Sequence, residues 1–289
     1  MKNISILIPT YNDDCTTLVR ELQQQAALLP TSYEIIVADD GSTDSQTIER
    51  NRAINKLQNC RMIERPENSG RAAIRNFLAT EAKYEWLLFI DGDMTVCRQD
   101  YIERYATAEG SSVFDGGITV GTPLPGNLRS LYETASEQTF TADKRSRSPY
   151  QDFHTANFMV RRDIMLAHPF DLRFRRYGYE DVLFGKVLQQ EQIAISHIEN
   201  PLSFEIFETN PHFVSKTEEG LRTLHHFRDE LDGYSRLLRR VSSMPHPVLS
   251  AVRWWHRLFG PLERRLLTGS HPNLFVFNLY KLGYFISLG

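Results

Sequence analysis

Two pairs of acidic residues stand out among the groups that could do chemistry. Asp91-Gly92-Asp93 directly follows the apolar run Leu87–Ile90, and Glu180-Asp181 lies in the stretch RRYGYEDVLFGKVL. Neighbouring carboxylates disfavour each other's ionised form unless a cation or hydrogen-bond donors compensate. The first pair has three readings. It is a solvated turn, since Asp-Gly is common turn chemistry, a general acid/base pair, or a divalent metal site, because hard oxygen ligands suit Mg²⁺ or Mn²⁺. The second pair can cap the helix expected over Val182–Gln190, as carboxylates favour helix N-termini. It can also take a proton from a hydroxyl that is a poor nucleophile at neutral pH. Capping and catalysis do not exclude each other.

These groups need elements to position them, and the first half of the chain alternates strands and helices. ISILIP is a short β-rich run that ends at Thr10-Tyr11-Asn12. Leu18, Leu22, Ala26 and Leu29 then recur at helical spacing, with Thr16 or Thr17 as cap. YEIIVADD is the second strand, closed by Asp39-Asp40-Gly41-Ser42, and a helix runs on to about Leu57. CRMIER is the third strand, SGRAAIRNFLATEA a helix with Gly70 near its start, and EWLLFIDGD the fourth strand. This alternation predicts a mostly parallel sheet flanked by helices. Ligands in such sheets bind beyond the carboxyl ends of the strands, where the polar groups fall.

From about Val113 to Asn210 the expectation is a mixed continuation of the sheet. A polar excursion over residues 126–150, carrying DKRSRS, reads as a mobile loop. After about Lys216 the tail is helical. Val248, Val252, Trp255, Phe259, Leu262 and Leu266 step by four and three, with Arg253, Arg257, Arg264 and Arg265 interleaved. Gly260-Pro261 predicts a split into two helices.

Bulk properties set the limits. The chain of 289 residues is 41% apolar, enough for a large domain (1–215) with a helical extension (216–289). A net charge of −3 gives no global case for nucleic acid. Cys15, Cys60 and Cys97 are scattered and form no CxxC pair, which argues against a disulfide framework or a zinc site. No secretory leader is legible, and no stretch reaches the ~20 apolar residues that span a bilayer. The expected location is cytoplasmic.

IPTYN (Ile8–Asn12), VADDGSTD (Val37–Asp44), NSGRAAIRN (Asn68–Asn76), DGD and GYED occur in order, each at the mouth of the expected sheet. As an ordered set, from about Ile4 to Phe204, they resemble the family 2 glycosyltransferases. The resemblance implies an α/β fold of the GT-A type, with a mostly parallel central sheet flanked by helices and, here, a helical C-terminal extension. It implies an inverting glycosyltransferase that moves a sugar from a nucleotide-sugar donor, most often UDP-linked, to a hydroxyl of a glycan or lipid-linked acceptor. On this resemblance Thr10, Tyr11 and Asn12 line the nucleotide-sugar site, with Tyr11 packed on the base. Asp40 accepts the imide proton of the base, supported by Asp39; a turn with a helix cap is the other reading of this stretch. Gly70 lets the backbone come close, and Arg71 and Arg75 lie near the nucleotide, one of them on a solvated face. Asp93 binds Mn²⁺ or Mg²⁺ across the two phosphates, with Gly92 between it and Asp91, and Asp91 holds the ribose or the water shell of the metal. Asp181 is the general base and Glu180 contacts the acceptor. Asn157 and Tyr179 touch donor or acceptor sugar. Phe204 stands where a metal-binding histidine would suit the family, and none of His154, His197 and His212 is assigned.

The tail has two readings. An apolar stripe beside arginines suits a helix lying on the anionic inner membrane leaflet, and it equally suits packing against the catalytic domain. A dehydrogenase is disfavoured, since no GxGxxG follows the first strand. The rivals are a sugar-1-phosphate nucleotidyltransferase and a catalytically inactive nucleotide-sugar- or carbohydrate-binding module.

Overall fold

A computed structural model of the protein describes residues 1–137 and 140–289. Its first strand, β1 (Ile4–Thr10), is apolar on both faces, and Ile6, Leu7 and Ile8 have no exposed surface. Continuous apolar runs of this kind belong to strands covered on both sides, as in parallel sheets with helices on each face. The chain continues through α1 (Thr16–Ala27), β2 (Tyr33–Asp39), α2 (Ser45–Arg52), β3 (Cys60–Glu64), α3 (Arg71–Glu81) and β4 (Trp86–Ile90). All four strands run parallel, with Thr10 level with Asp39 and Asp39 level with Glu64. That register brings the polar ends of β1 and β2 side by side.

After β5 (Met94–Thr95), α4 (Tyr101–Thr107), β6 (Val113–Asp115), β7 (Ile118–Val120), α5 (Leu128–Glu137) and α6 (Ala142–Arg145), the strand β8 (Asn157–Arg161) enters antiparallel beside β4. Helices α7 (Arg162–Ala167) and α8 (Glu180–Gln190) and strands β9 (Ile195–His197) and β10 (Leu202–Phe204) follow. The seven-stranded sheet has the order β3-β2-β1-β4-β8-β6-β9, and β5, β10 and β7 form a second sheet of three. Apolar residues of α1 and α4 cover one face of the large sheet, those of α3, α7 and α8 the other. The expected mixed continuation is therefore present, and only β8 runs against the rest.

The tail forms α9 (Asn210–His226), α10 (Arg236–Ser242), α11 (His246–Thr268) and α12 (Leu274–Ser287). Phe213 and Val214 of α9 pack with Leu128 of α5 and with Phe277 and Tyr280 of α12.

Three local expectations change. The 126–150 excursion, apart from residues 138 and 139, which lie outside the described residues, forms α5 and α6 rather than an irregular loop, and Leu128 and Arg145 are buried. Helix α11 is continuous for 23 residues through Pro261. The proline removes one N–H from the ladder, but the helix is held along its length by α12, close enough that a Cβ on Gly283 would stand 2.7 Å from the His256 Cβ. Neither Thr16 nor Thr17 caps α1. Its cap residue is Cys15, and the Asp14 carboxylate instead accepts from the Thr16 backbone N–H and hydroxyl.

Candidate active site

Strand β4 ends at Ile90 and delivers Asp91 into a cluster of charges. Asp91 Oδ2 accepts from Arg71 Nη2 at 2.6 Å, and Oδ1 from Arg75 Nη2 at 2.5 Å. Both arginines come from α3, one turn apart. Arg71 reaches further, donating from Nε to Glu180 Oε1 at 3.0 Å, while Arg75 Nη1 stands 3.9 Å from the same oxygen. Two carboxylates and two guanidiniums thus tie β4, α3 and the start of α8 together. Burial would raise the Asp91 carboxyl; the charges of Arg71 and Arg75 outweigh it and hold the group below its ordinary value. Asp91, expected on the ribose or the metal's water shell, is held by two arginines and still lines the cavity. One expectation is corrected: Arg75 is 1% exposed, an internal counter-ion rather than a nucleotide contact or a solvated residue. Glu180, expected on the acceptor, is largely buried but lines the cavity, with Oε1 on Arg71 and Oε2 without a hydrogen-bond partner among the described residues.

The second member of each pair behaves differently. Asp93 and Asp181 both line a cavity of about 460 Å³ between the sheet end and the helices α5, α8, α9 and α12. Asp93 receives no hydrogen bond or ion pair from the described residues; burial, then the charge of Asp91, pushes its carboxyl up. Asp181 accepts from the backbone N–H of Val182 at 2.8 Å and from no other described group. Burial, then the charge of Glu180, lifts it to about 6. A carboxyl tuned toward the working pH and open to a cavity is suited to general base catalysis. Gly92 separates Asp91 and Asp93 because a Cβ there would stand 2.9 Å from Cys15 Sγ and 3.2 Å from Thr10 Oγ1.

The strand ends of β1 and β2 are knitted together. Asn12, at a φ of 62°, accepts at Oδ1 from the backbone N–H groups of Thr43 and Asp44, and its own N–H donates to Ser42 Oγ. Asp39 accepts from the Ser42 backbone and hydroxyl, the turn chemistry weighed as an alternative. Asp40 accepts from Arg65 Nη1, from the Ser69 backbone and hydroxyl, and from Gly70 N. A carboxylate has about four lone-pair sites, so a base N–H would have to displace one of these donors. Gly70 opens α3 at a φ of 89°, a conformation that favours glycine. Thr10 is buried, its hydroxyl donating to the Asp13 carbonyl. Tyr11 is 44% exposed and leaves a ring face open to a planar ligand.

Asn157 is fully committed to the core. Its Oδ1 accepts from the Tyr101 and Tyr105 hydroxyls, and its Nδ2 donates to the carbonyls of Gly117 and Asn200. The expected sugar contact is thus corrected to an internal brace between α4, β8 and the second sheet. Tyr179 does line the cavity, in the left-handed conformation immediately before α8. His197 has both ring nitrogens engaged: Nδ1 accepts from Arg145 Nε and Nε2 donates to the Pro149 carbonyl. Phe204 lies buried beneath the Arg129 guanidinium. Among the described residues no cluster of three or more His, Cys, Asp or Glu forms a complete metal cage. The donor set still fits a divalent cation shared with a diphosphate, because Mg²⁺ is commonly held by one or two carboxylates plus substrate phosphates, and Asp93 is an unpaired carboxylate facing the cavity.

Several residues of the site escaped sequence reading. Asp13 is half-buried and close enough to Asp93 that desolvation, then that charge, lifts its carboxyl to about 6. Lys216 stands 4.6 Å over the Tyr177 ring and 3.4 Å from Glu208 Oε1, and its charge is felt at Asp93. Lys281 of α12 lies over the rings of Phe277 and Tyr132, with no ion pair among the described residues. Only the NDD run after Tyr11 carried a signal for any of them.

The chain matches the family described as glycosyl transferase family 2 over residues 5–167. An uncharacterized glycosyltransferase of Haemophilus influenzae is 35% identical over 189 residues, covering 64% of this chain and 70% of that protein. A poly(ribitol-phosphate) beta-glucosyltransferase of Bacillus spizizenii is 40% identical over 145 residues, 49% of this chain but only 23% of that longer protein. Among solved structures, glucosyl-3-phosphoglycerate synthase from Mycobacterium tuberculosis, in complex with Mn²⁺, UDP and phosphoglyceric acid, superposes with a TM-score of 0.53 at 15% identity, over 80% of this chain and 79% of that one. The fold is of the GT-A type. The protein belongs to glycosyl transferase family 2 and is a glycosyltransferase.

Proposed function

We propose that the protein is an inverting transferase that moves a hexosyl or N-acetylhexosaminyl group from a UDP-sugar to a hydroxyl of a glycan or lipid-linked acceptor, in the synthesis of a cell-surface polysaccharide. The observation that carries this reading is the unequal fate of the two acidic pairs. Asp91 and Glu180 are neutralised by Arg71. Asp93 and Asp181 have no ion-pair partner among the described residues, and all four carboxylates line one cavity.

In this reading Asp181 takes the proton of the attacking hydroxyl, and Glu180 acts through Arg71 to keep α8 in register with the sheet. Tyr11 packs on the base. Asp93 would hold Mn²⁺ or Mg²⁺, which supplies electrostatic relief for the diphosphate as it leaves. Lys216, near Asp93, adds positive charge on the same side. Residues 1–215 form the catalytic domain, and 216–289 an extension that closes the acceptor side of the cavity through Leu221, Phe277 and Lys281. The poly(ribitol-phosphate) beta-glucosyltransferase and the UDP and Mn²⁺ complex among the similar proteins support a UDP-hexose donor and a surface-polymer acceptor.

The test is a panel of UDP- and GDP-sugars, scored by release of the nucleotide with and without Mn²⁺. Proton NMR of the product then reads the anomeric configuration. An α-linked donor giving a β-linked product supports the reading; retention, or release of pyrophosphate instead of UDP, contradicts it.

A further inference from the structure

Helix α11 turns its apolar side outward. Along its 23 residues only Gly260, Glu263 and Leu267 are buried. Trp254 is 63% exposed, and Trp255, Leu258, Phe259, Leu262 and Leu266 are exposed with it. At 3.6 residues per turn, Trp255, Leu258, Leu262 and Leu266 fall on one arc. Soluble proteins rarely display a contiguous apolar stripe of this size without a partner. The helix itself is firmly seated. His256 packs on Tyr280 and Tyr284 of α12, and Trp255 Nε1 donates to Glu263 Oε1 at 2.8 Å. The covered side of α11 therefore rests on α12 of the same extension, and the apolar side is left open.

Charge selects the partner. From Arg236 to Gly289 the chain carries eight Lys or Arg and one acidic residue, a net of +7 within a chain of −3. Arg257 and Arg265 are exposed beside the stripe, and neither makes an ion pair among the described residues. A second copy of the chain would set one such basic region against another. An anionic surface would neutralise it. No helix among the described residues is long and apolar enough to cross a membrane, so α11 would lie along a surface rather than pass through it.

We propose that α11 docks the enzyme on an anionic lipid bilayer, with its apolar stripe at the boundary of headgroups and acyl chains and Arg257 and Arg265 on the phosphates. Such helices bind by buried apolar area together with attraction to anionic lipid. Helix α12, packed along α11, also contributes Phe277 and Lys281 to the cavity. Docking therefore holds the cavity near the bilayer whichever sugar is transferred.

The test uses the full chain with vesicles of phosphatidylcholine alone or with added phosphatidylglycerol. Co-sedimentation is read together with tryptophan emission, since two of the three tryptophans sit on α11. The wild type should sediment with the anionic vesicles and shift its emission to the blue. The surface variant Trp254→Ser/Leu258→Ser/Leu262→Ser should keep its thermal midpoint and lose vesicle binding at least about tenfold. Arg257→Glu/Arg265→Glu should lose about tenfold or more, with the largest effect at low salt. Wild-type protein left in the supernatant, or an apolar variant that binds as before, overturns the proposal. So does a stable wild-type dimer, by sedimentation velocity, that the apolar variant turns into a monomer.

Discussion

Asp91 and Glu180 share one guanidinium: Arg71 stands 2.6 Å from the first and 3.0 Å from the second. Each belongs to an acidic pair, and in each pair the sharing engages one carboxylate and leaves its neighbour without an ion-pair partner among the described residues, all four lining the same cavity. The fold joins the two pairs because α3 runs between the end of β4 and the start of α8. Metal chemistry and proton transfer would then be held in register by one internal ion cluster.

Breaking that cluster by removing one partner should be costly. Arg75 is buried against Asp91 and Glu180, so Arg75→Met leaves buried charge uncompensated and should cost about 3–5 kcal/mol in denaturant unfolding. Arg71→Met should cost less, because the Arg71 side chain is 40% exposed and water can take over part of its role. Equal losses for the two would contradict this division.

Asn157 should prove structural. Asn157→Ala removes one partner from each of two buried tyrosine hydroxyls and two carbonyls; the Tyr105 hydroxyl keeps the Asn157 carbonyl and the Gly117 carbonyl keeps the Leu202 N–H, and each group left unsatisfied costs about 1–3 kcal/mol. The expected phenotype is a lower denaturation midpoint with kcat/KM per folded molecule within about threefold of wild type. A large rise in KM with unchanged stability would restore a sugar contact.

Activity should fall with acid. A base must be ionised, and burial lifts the Asp181 carboxyl to about 6, so kcat/KM should decline one decade per pH unit below about 6. Stability runs the other way. A carboxyl raised in the folded state disfavours folding once it ionises, so Asp181→Asn should raise the thermal midpoint at pH 8. The gain should shrink as the pH falls through 6 toward the ordinary value of 3.8. A rate profile flat to pH 4.5 would exclude Asp181 as base.

Removal of divalent metal should depress transfer at least about tenfold, with recovery on adding Mn²⁺. Asp93→Asn should abolish the stabilisation that Mn²⁺ with UDP gives in thermal unfolding, through loss of mass-action coupling. Full metal response in that variant would move the cation elsewhere.

Much of this architecture was legible in the residues. Apolar runs ending in polar clusters defined β1 to β4, because strands covered on both faces leave an unbroken apolar signature. The acidic pairs were legible as candidates. Their division of labour was not, since a DxD pattern does not say which carboxylate an arginine twenty residues earlier will neutralise. Asn157 looked like a site amide because its four core partners come from distant segments. The course of α11 through Pro261 depends on packing against α12, a tertiary contact that overrides local propensity. Lys216 and Lys281 belong to helices whose sequence carries no motif, and only folding brings them to the cavity.

The most direct test is Asp181→Asn, assayed for sugar transfer and for donor binding on the same preparation. The account predicts that transfer falls by about 10²–10⁴ while UDP-sugar binding with Mn²⁺ stays within about threefold of wild type. Transfer at the wild-type rate, with binding intact, would contradict it.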